Sequence, residues 1–91
     1  METSPENPDA AGTLGWILYR KGLYQQAKQQ LKRAADQDRQ RTDQNAVIRK
    51  YHLAMVYSKL GEIENASEIL SQALRQNPNL PEAAVAQAAL R

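Results

Sequence analysis

The chain's 91 residues suffice for one small domain, close to the size at which a single core is only just large enough. With 42% apolar residues, no Phe, one Trp and no Cys, the core must be mostly Leu, Ile and Ala; that favours packed helices over a sheet and excludes disulfide and thiolate chemistry. The formal net charge of +2 is unevenly spread: residues 1–19 carry only acids, residues 20–50 hold nine Lys and Arg against three Asp, and residues 51–91 are nearly neutral.

The N-terminal "METSPENPDA" is polar and acidic, unlike a signal peptide or an anchor, and no stretch approaches the roughly 18 apolar residues of a membrane span. A soluble chain without direct membrane insertion is expected. Asn7 before Pro8 and Asp9 reads as a cap followed by proline at the first helical position. A first helix then runs from Asp9 to Lys21, with Arg20 and Lys21 in its last turn and Gly22 as its stop. A second runs from Tyr24 to Asp36, with Ala27, Leu31 and Ala34 on one stripe. "DQDRQRTDQN" (36–45) has no apolar anchor and reads as a loop or frayed helix ends. A third helix spans Gln44 to Lys59 and stops at Gly61, and a fourth spans Ile63 to Gln76 and stops at "NPN" (77–79). A fifth, short and alanine-rich, starts around Pro81 and continues to the end. No segment alternates with the β-branched richness of a strand, so the fold class is all-α.

Gly15 is the odd residue in this pattern, because glycine inside a helix costs about 1 kcal/mol against alanine. An internal repeat accounts for it. Gly22 and Gly61 stand 39 residues apart, and the same offset places Leu14-Gly15 on Leu53-Ala54, Leu18 on Tyr57 and Tyr24 on Ile63. It also places Ala27 on Ala66, Leu31 on Leu70 and Ala34 on Ala73. Each unit is a helix, a glycine turn and a second helix. Small residues, Gly15 with Ala27 and Ala54 with Ala66, recur where two antiparallel helices must approach closely.

These residues resemble the tetratricopeptide repeat family, whose unit of about 34 residues carries a W-x2-L-G-x2-Y…A-x3-F…P pattern. Leu14, Gly15, Ala27, Leu31 and Ala34 match in the first unit, and Leu53, Ala54, Tyr57, Ala66, Leu70, Ala73 and Pro78 in the second. Ala11 and Lys50 stand at the tryptophan position, Leu18 replaces the tyrosine, and the first unit lacks the closing proline. The surplus length falls in "DRQRTDQNA". The resemblance implies a right-handed superhelical stack of antiparallel helix pairs: an exit turn over 1–7, repeat units over 8–41 and 42–79, and a capping helix or partial third unit over 80–91. "SPENPDA" (4–10) matches the closing turn "NPNLPEA" (77–83), and the chain is expected to be a piece of a longer array. The tail also looks like the C-terminal end of bacterial envelope-associated repeat proteins of the PEP-CTERM sorting type. That implies a bacterial cytoplasmic or periplasmic setting.

Catalytic chemistry finds little material. His52 is the single histidine, and no His, Cys or carboxylate set has metal-ligand spacing. Ser58, Ser67 and Ser71 have no local base, and Glu62, Glu64 and Glu68 suit the start of the fourth helix. No glycine loop cradles phosphate. Neither an enzyme nor a cofactor or metal is expected.

A binding surface remains. In stacked hairpins the first helices line the concave face. With Leu14, Gly15 and Leu18 inward, the neighbouring stripe is Gly12, Trp16, Tyr19 and Arg20, and the third helix offers Ile48, Tyr51, His52, Met55 and Lys59. Such aromatic and Met residues suit an apolar peptide or helix. Trp16 and Tyr51 packing against each other is the competing reading. Trp16 and Met55 stand where chaperone-binding members of the family carry asparagine, so a carboxylate clamp is not expected. The function that follows is a protein-interaction scaffold holding a peptide or protein partner. Its rivals are a nucleic-acid-binding repeat using the basic 20–50 segment, which a solvated basic face disfavours, and a self-association module.

Overall fold

The computed structural model describes residues 8–37 and 43–90. Five α-helices follow in order: α1 (Pro8–Arg20), α2 (Tyr24–Gln37), α3 (Gln44–Lys59), α4 (Ile63–Gln76) and α5 (Pro81–Ala89). The first four helices stand within one residue of the bounds that the sequence indicates, and α5 starts at Pro81 as expected but ends at Ala89. The exit turn over 1–7, the Asn7 cap and positions 38–42 of the connecting stretch lie outside the described residues. No strand occurs among the described residues.

The two glycine stops are built alike. Gly22 and Gly61 have φ of 83° and 79°, the left-handed region that glycine enters without a Cβ penalty. Around Gly22, the Leu23 N–H donates to Leu18 O at 2.9 Å and the Gly22 N–H to Tyr19 O at 3.0 Å. Around Gly61, the Glu62 N–H donates to Tyr57 O at 2.9 Å and the Gly61 N–H to Ser58 O at 3.1 Å. Both are Schellman caps, and both turn the chain back within three residues. α1 thus pairs with α2, and α3 with α4. The third turn is set differently: Asn77 Oδ1 accepts the Asn79 N–H at 3.1 Å, and Pro81 opens α5.

Close approach explains Gly15. A Cβ there would stand 2.6 Å from Leu31 Cγ and 3.3 Å from the Ala27 carbonyl oxygen, so a side chain would push α2 away from α1. Ala27 and Ala66 are fully buried at the matching places in the two pairs. Ala27→Leu or Ala66→Leu is therefore expected to destabilise the domain by about 1–3 kcal/mol through overpacking. Melting followed by circular dichroism checks this, and two variants that melt like the parent would contradict the close crossing.

α3 is the central helix. It touches all four others and is buried almost all round, which is why its apolar pattern shows no single stripe. One core cluster joins Ala27 and Leu31 of α2 to Leu53, Val56 and Tyr57 of α3 and Ala66 of α4. A second joins Val47, Tyr51, Ala54 and Met55 to Leu70, Ala73, Ala83 and Ala86. Polar ties hold the helices in register. Ser58 Oγ donates to Ala89 O at 2.7 Å, Lys50 Nζ to Gln76 Oε1 at 2.9 Å, and Lys28 Nζ pairs with Glu62 at 2.8 Å. Hydrogen bonds from Lys28 and then Asn65 hold the Glu62 carboxyl below its usual range.

One inward assignment needs correcting, and one charged residue is unexpectedly buried. Leu14 is exposed, although its counterpart Leu53 is buried, because α2 covers α3 whereas no described element covers the matching side of α1. Lys50, at the family's tryptophan position, is buried and spans to α4.

Candidate functional site

The first helices of the hairpins, α1 and α3, and the following α5 border one trough made of two adjoining hollows. The first, of about 250 Å³, is lined by Gly12, Thr13 and Trp16 of α1 and Asn45, Ile48, Arg49 and His52 of α3. The second, of about 290 Å³, is lined by Trp16, His52 and Met55 and by Pro81, Glu82 and Val85 of α5. Trp16 and His52 are common to both and divide them.

These two rings are stacked, with centroids 3.7 Å apart and planes within 9°. Tyr19, one turn along α1, stacks on Trp16 at 4.9 Å and tilts against Tyr24 at 5.5 Å. Packing of this kind removes water from the imidazole, so His52 is pushed down to about 4 and is uncharged at neutral pH. The neutral ring then stacks without the cost of a buried charge. Gly12 serves the same wall: a Cβ there would lie 2.9 Å from Arg49 Cγ and closer still to Cδ, so the missing side chain lets Arg49 lie flat and buried against α1. Among the described residues, the charged side chains lining the trough are Arg49 in the first hollow and Glu82 in the second.

Of the residues that the sequence singles out, Gly12, Trp16, Ile48, His52 and Met55 come together here. Tyr19 supports the Trp16 ring from behind. Arg20 and Lys59 are exposed near the ends of α1 and α3 and line neither hollow. Tyr51 is a core residue instead. It is fully buried, its hydroxyl donates to Asn77 O at 2.6 Å, and burial followed by the nearby Glu82 charge raises its pKa. The reason is α5 and the turn before it, which close over that edge of α3. Trp16 accordingly packs on His52 rather than on Tyr51.

Sequence reasoning missed Thr13, Asn45, Arg49 and the whole α5 wall. A signal for the last was present. The offset that lays "SPENPDA" on "NPNLPEA" also lays Gly12 on Val85, which marks α5 as a third wall of the trough.

Two family profiles match the chain: one described as tetratricopeptide repeat over residues 1–51, and another of the same description over residues 50–80. The chain belongs to the tetratricopeptide repeat family. No curated protein and no solved structure matches it. Tetratricopeptide repeats are in general scaffolds for protein–protein interaction and are typically non-enzymatic. In this tetratricopeptide repeat chain, no three His, Cys, Asp or Glu among the described residues could hold a metal ion, and no described helix is long and apolar enough to cross a membrane.

Proposed function

We propose that the trough between α1, α3 and α5 holds an apolar peptide or helix of a protein partner. The observation that carries this reading is the continuity of the two hollows around the Trp16–His52 stack, with Ile48, Met55 and Val85 as apolar walls. Aromatic anchors flanked by aliphatic walls are what a helix-in-groove partner uses. Glu82 Oε1 is buried and accepts no hydrogen bond among the described residues, so a donor from the partner at that end would recover one.

The basic segment supports a nucleic-acid reading less well. Lys28 is paired with Glu62, Lys50 is buried and bonded to Gln76, and Arg49 is buried against Gly12. Three of its cations thus serve the fold. We divide the chain into units over 8–41 and 42–79 with 80–91 as a cap. The likeness of its tail to bacterial envelope repeat proteins is the ground for seeking the partner there.

The test is affinity capture with the parent and two charge variants. Ile48→Glu in the trough is expected to abolish capture of a partner that Lys32→Glu on exposed α2 still captures, with both variants keeping helical circular dichroism. Capture that survives Ile48→Glu but collapses steeply with added salt would favour phosphate binding instead.

A further inference from the structure

The second hollow of the trough is walled by Met55, Pro81, Val85 and the Trp16 and His52 rings, and among the described residues Glu82 is its charged member. Pro81 opens α5 and Glu82 follows in the first turn, where a carboxylate complements the helix dipole. That role asks only for a solvated or capping carboxylate. Instead, Glu82 Oε1 is buried and accepts no hydrogen bond among the described residues. Tyr51, close enough to feel the Glu82 charge, donates its hydroxyl to Asn77 O at 2.6 Å. His52 brings no positive charge either, because desolvation keeps its ring neutral at pH 7. A carboxylate oxygen turned out of water without a donor is destabilising, and a cation bonded to it removes that penalty. The hollow, at about 290 Å³, is many times the ~30 Å³ share of a single water and admits a whole side chain.

We propose that this hollow receives an arginine side chain of the partner segment, its guanidinium bonded to the Glu82 carboxylate and its stem against Met55 and Val85. The inference rests on the trough being the binding site and adds what the partner must carry there. Charge complementarity gives the sign: a negative group in a largely apolar recess selects a cation and rejects Asp and Glu. The lining then selects arginine over lysine. A guanidinium is planar, weakly hydrated and able to lie on rings, whereas an ammonium holds its water strongly. Its donors form a fork that engages both carboxylate oxygens, and the soft terminal torsion of Glu82 lets the carboxylate turn to meet it.

The experiment selects a library of random displayed peptides on the full chain and keeps those whose binding is weakened by Trp16→Ala, the ring common to both hollows. These trough peptides are expected to share an arginine beside apolar positions. In one of them, exchanging that arginine for citrulline, which is neutral and nearly the same shape, should weaken binding about tenfold or more, and lysine should restore only part of the loss. Glu82→Gln should cost the arginine peptide a similar factor and the citrulline peptide almost nothing, the coupling expected of a direct pair. The peptide exchanges are read on the parent chain, so they stand whatever Glu82→Gln does to the fold. Trough peptides without a shared arginine, lysine serving as well as arginine, or an arginine peptide that binds Glu82→Gln as tightly as the parent would overturn the arginine assignment and leave the trough in place. A selection that yields no peptide sensitive to Trp16→Ala would overturn the trough reading, and this inference with it.

Discussion

Acidification from pH 7 towards pH 4 should destabilise the domain through His52 by about 2 kcal/mol. The ring is ordinarily half-protonated near 6.5, and desolvation beside Trp16 pushes it down to about 4. Above pH 6.5 both folded and unfolded chains carry a neutral imidazole, and the folded form has its full advantage. Between 6.5 and 4 only the unfolded chain takes up the proton, so stability falls across that window and levels off below it. A displacement of this size is worth about 3 kcal/mol in full, and partial exposure of the ring reduces it to about 2. Among the described residues, the charged ones lining the hollows are Arg49 on α3 and Glu82 on α5. Glu62 adds a separate loss at lower pH, because hydrogen bonds from Lys28 and Asn65 favour its ionised form. His52→Phe keeps an aromatic ring against Trp16 but cannot titrate. Melting temperatures of parent and variant at pH 7, 5 and 4 should therefore diverge, with the parent losing more. Parallel curves would show that His52 is not held neutral.

Trp16→Ala should weaken partner binding by about 2–4 kcal/mol, the size of an aromatic hot spot. Its cost to the fold should be smaller, at about 1–2 kcal/mol, because the ring is only half-buried and divides two open hollows. That cost is the lost stack with His52 and Tyr19. Leu53→Ala is the contrasting variant. Leu53 is buried between α2 and α3, and its truncation should cost about 2–5 kcal/mol of stability. Calorimetric or chemical melting of the two variants measures the difference. A Trp16→Ala variant as unstable as Leu53→Ala would make Trp16 a core residue rather than a binding one.

The architecture was legible because its signals are local. Gly22 and Gly61 announce left-handed caps, Pro81 a helix start, and the recurrence of Ala27 and Leu31 at Ala66 and Leu70 a repeated crossing. Gly15 could be read as a close approach from its place in an otherwise apolar stripe. Side-chain partners across helices were less legible. Tyr51 shares a stripe with Ile48 and His52 on paper, but α5 and the Asn77 carbonyl close over it. Helical periodicity gives the direction of a side chain, not what a later helix lays upon it. The burial of Arg49 and Lys50 was hidden for a related reason. Charged residues read as solvated until a glycine or a glutamine opposite supplies the space or the acceptor. Leu14 failed the other way, since apolar character alone does not say whether a covering helix is present.

The trough is tested most directly by the fluorescence of Trp16, the single tryptophan. Titrating the chain with the segment of its captured partner should move the emission to the blue and saturate, as water is displaced from the ring at the junction of the two hollows. The same titration of Ile48→Glu should leave the emission where it began. A partner that binds the parent while Trp16 emission stays unchanged, or that binds Ile48→Glu as tightly, would contradict the assignment of the trough as the binding site.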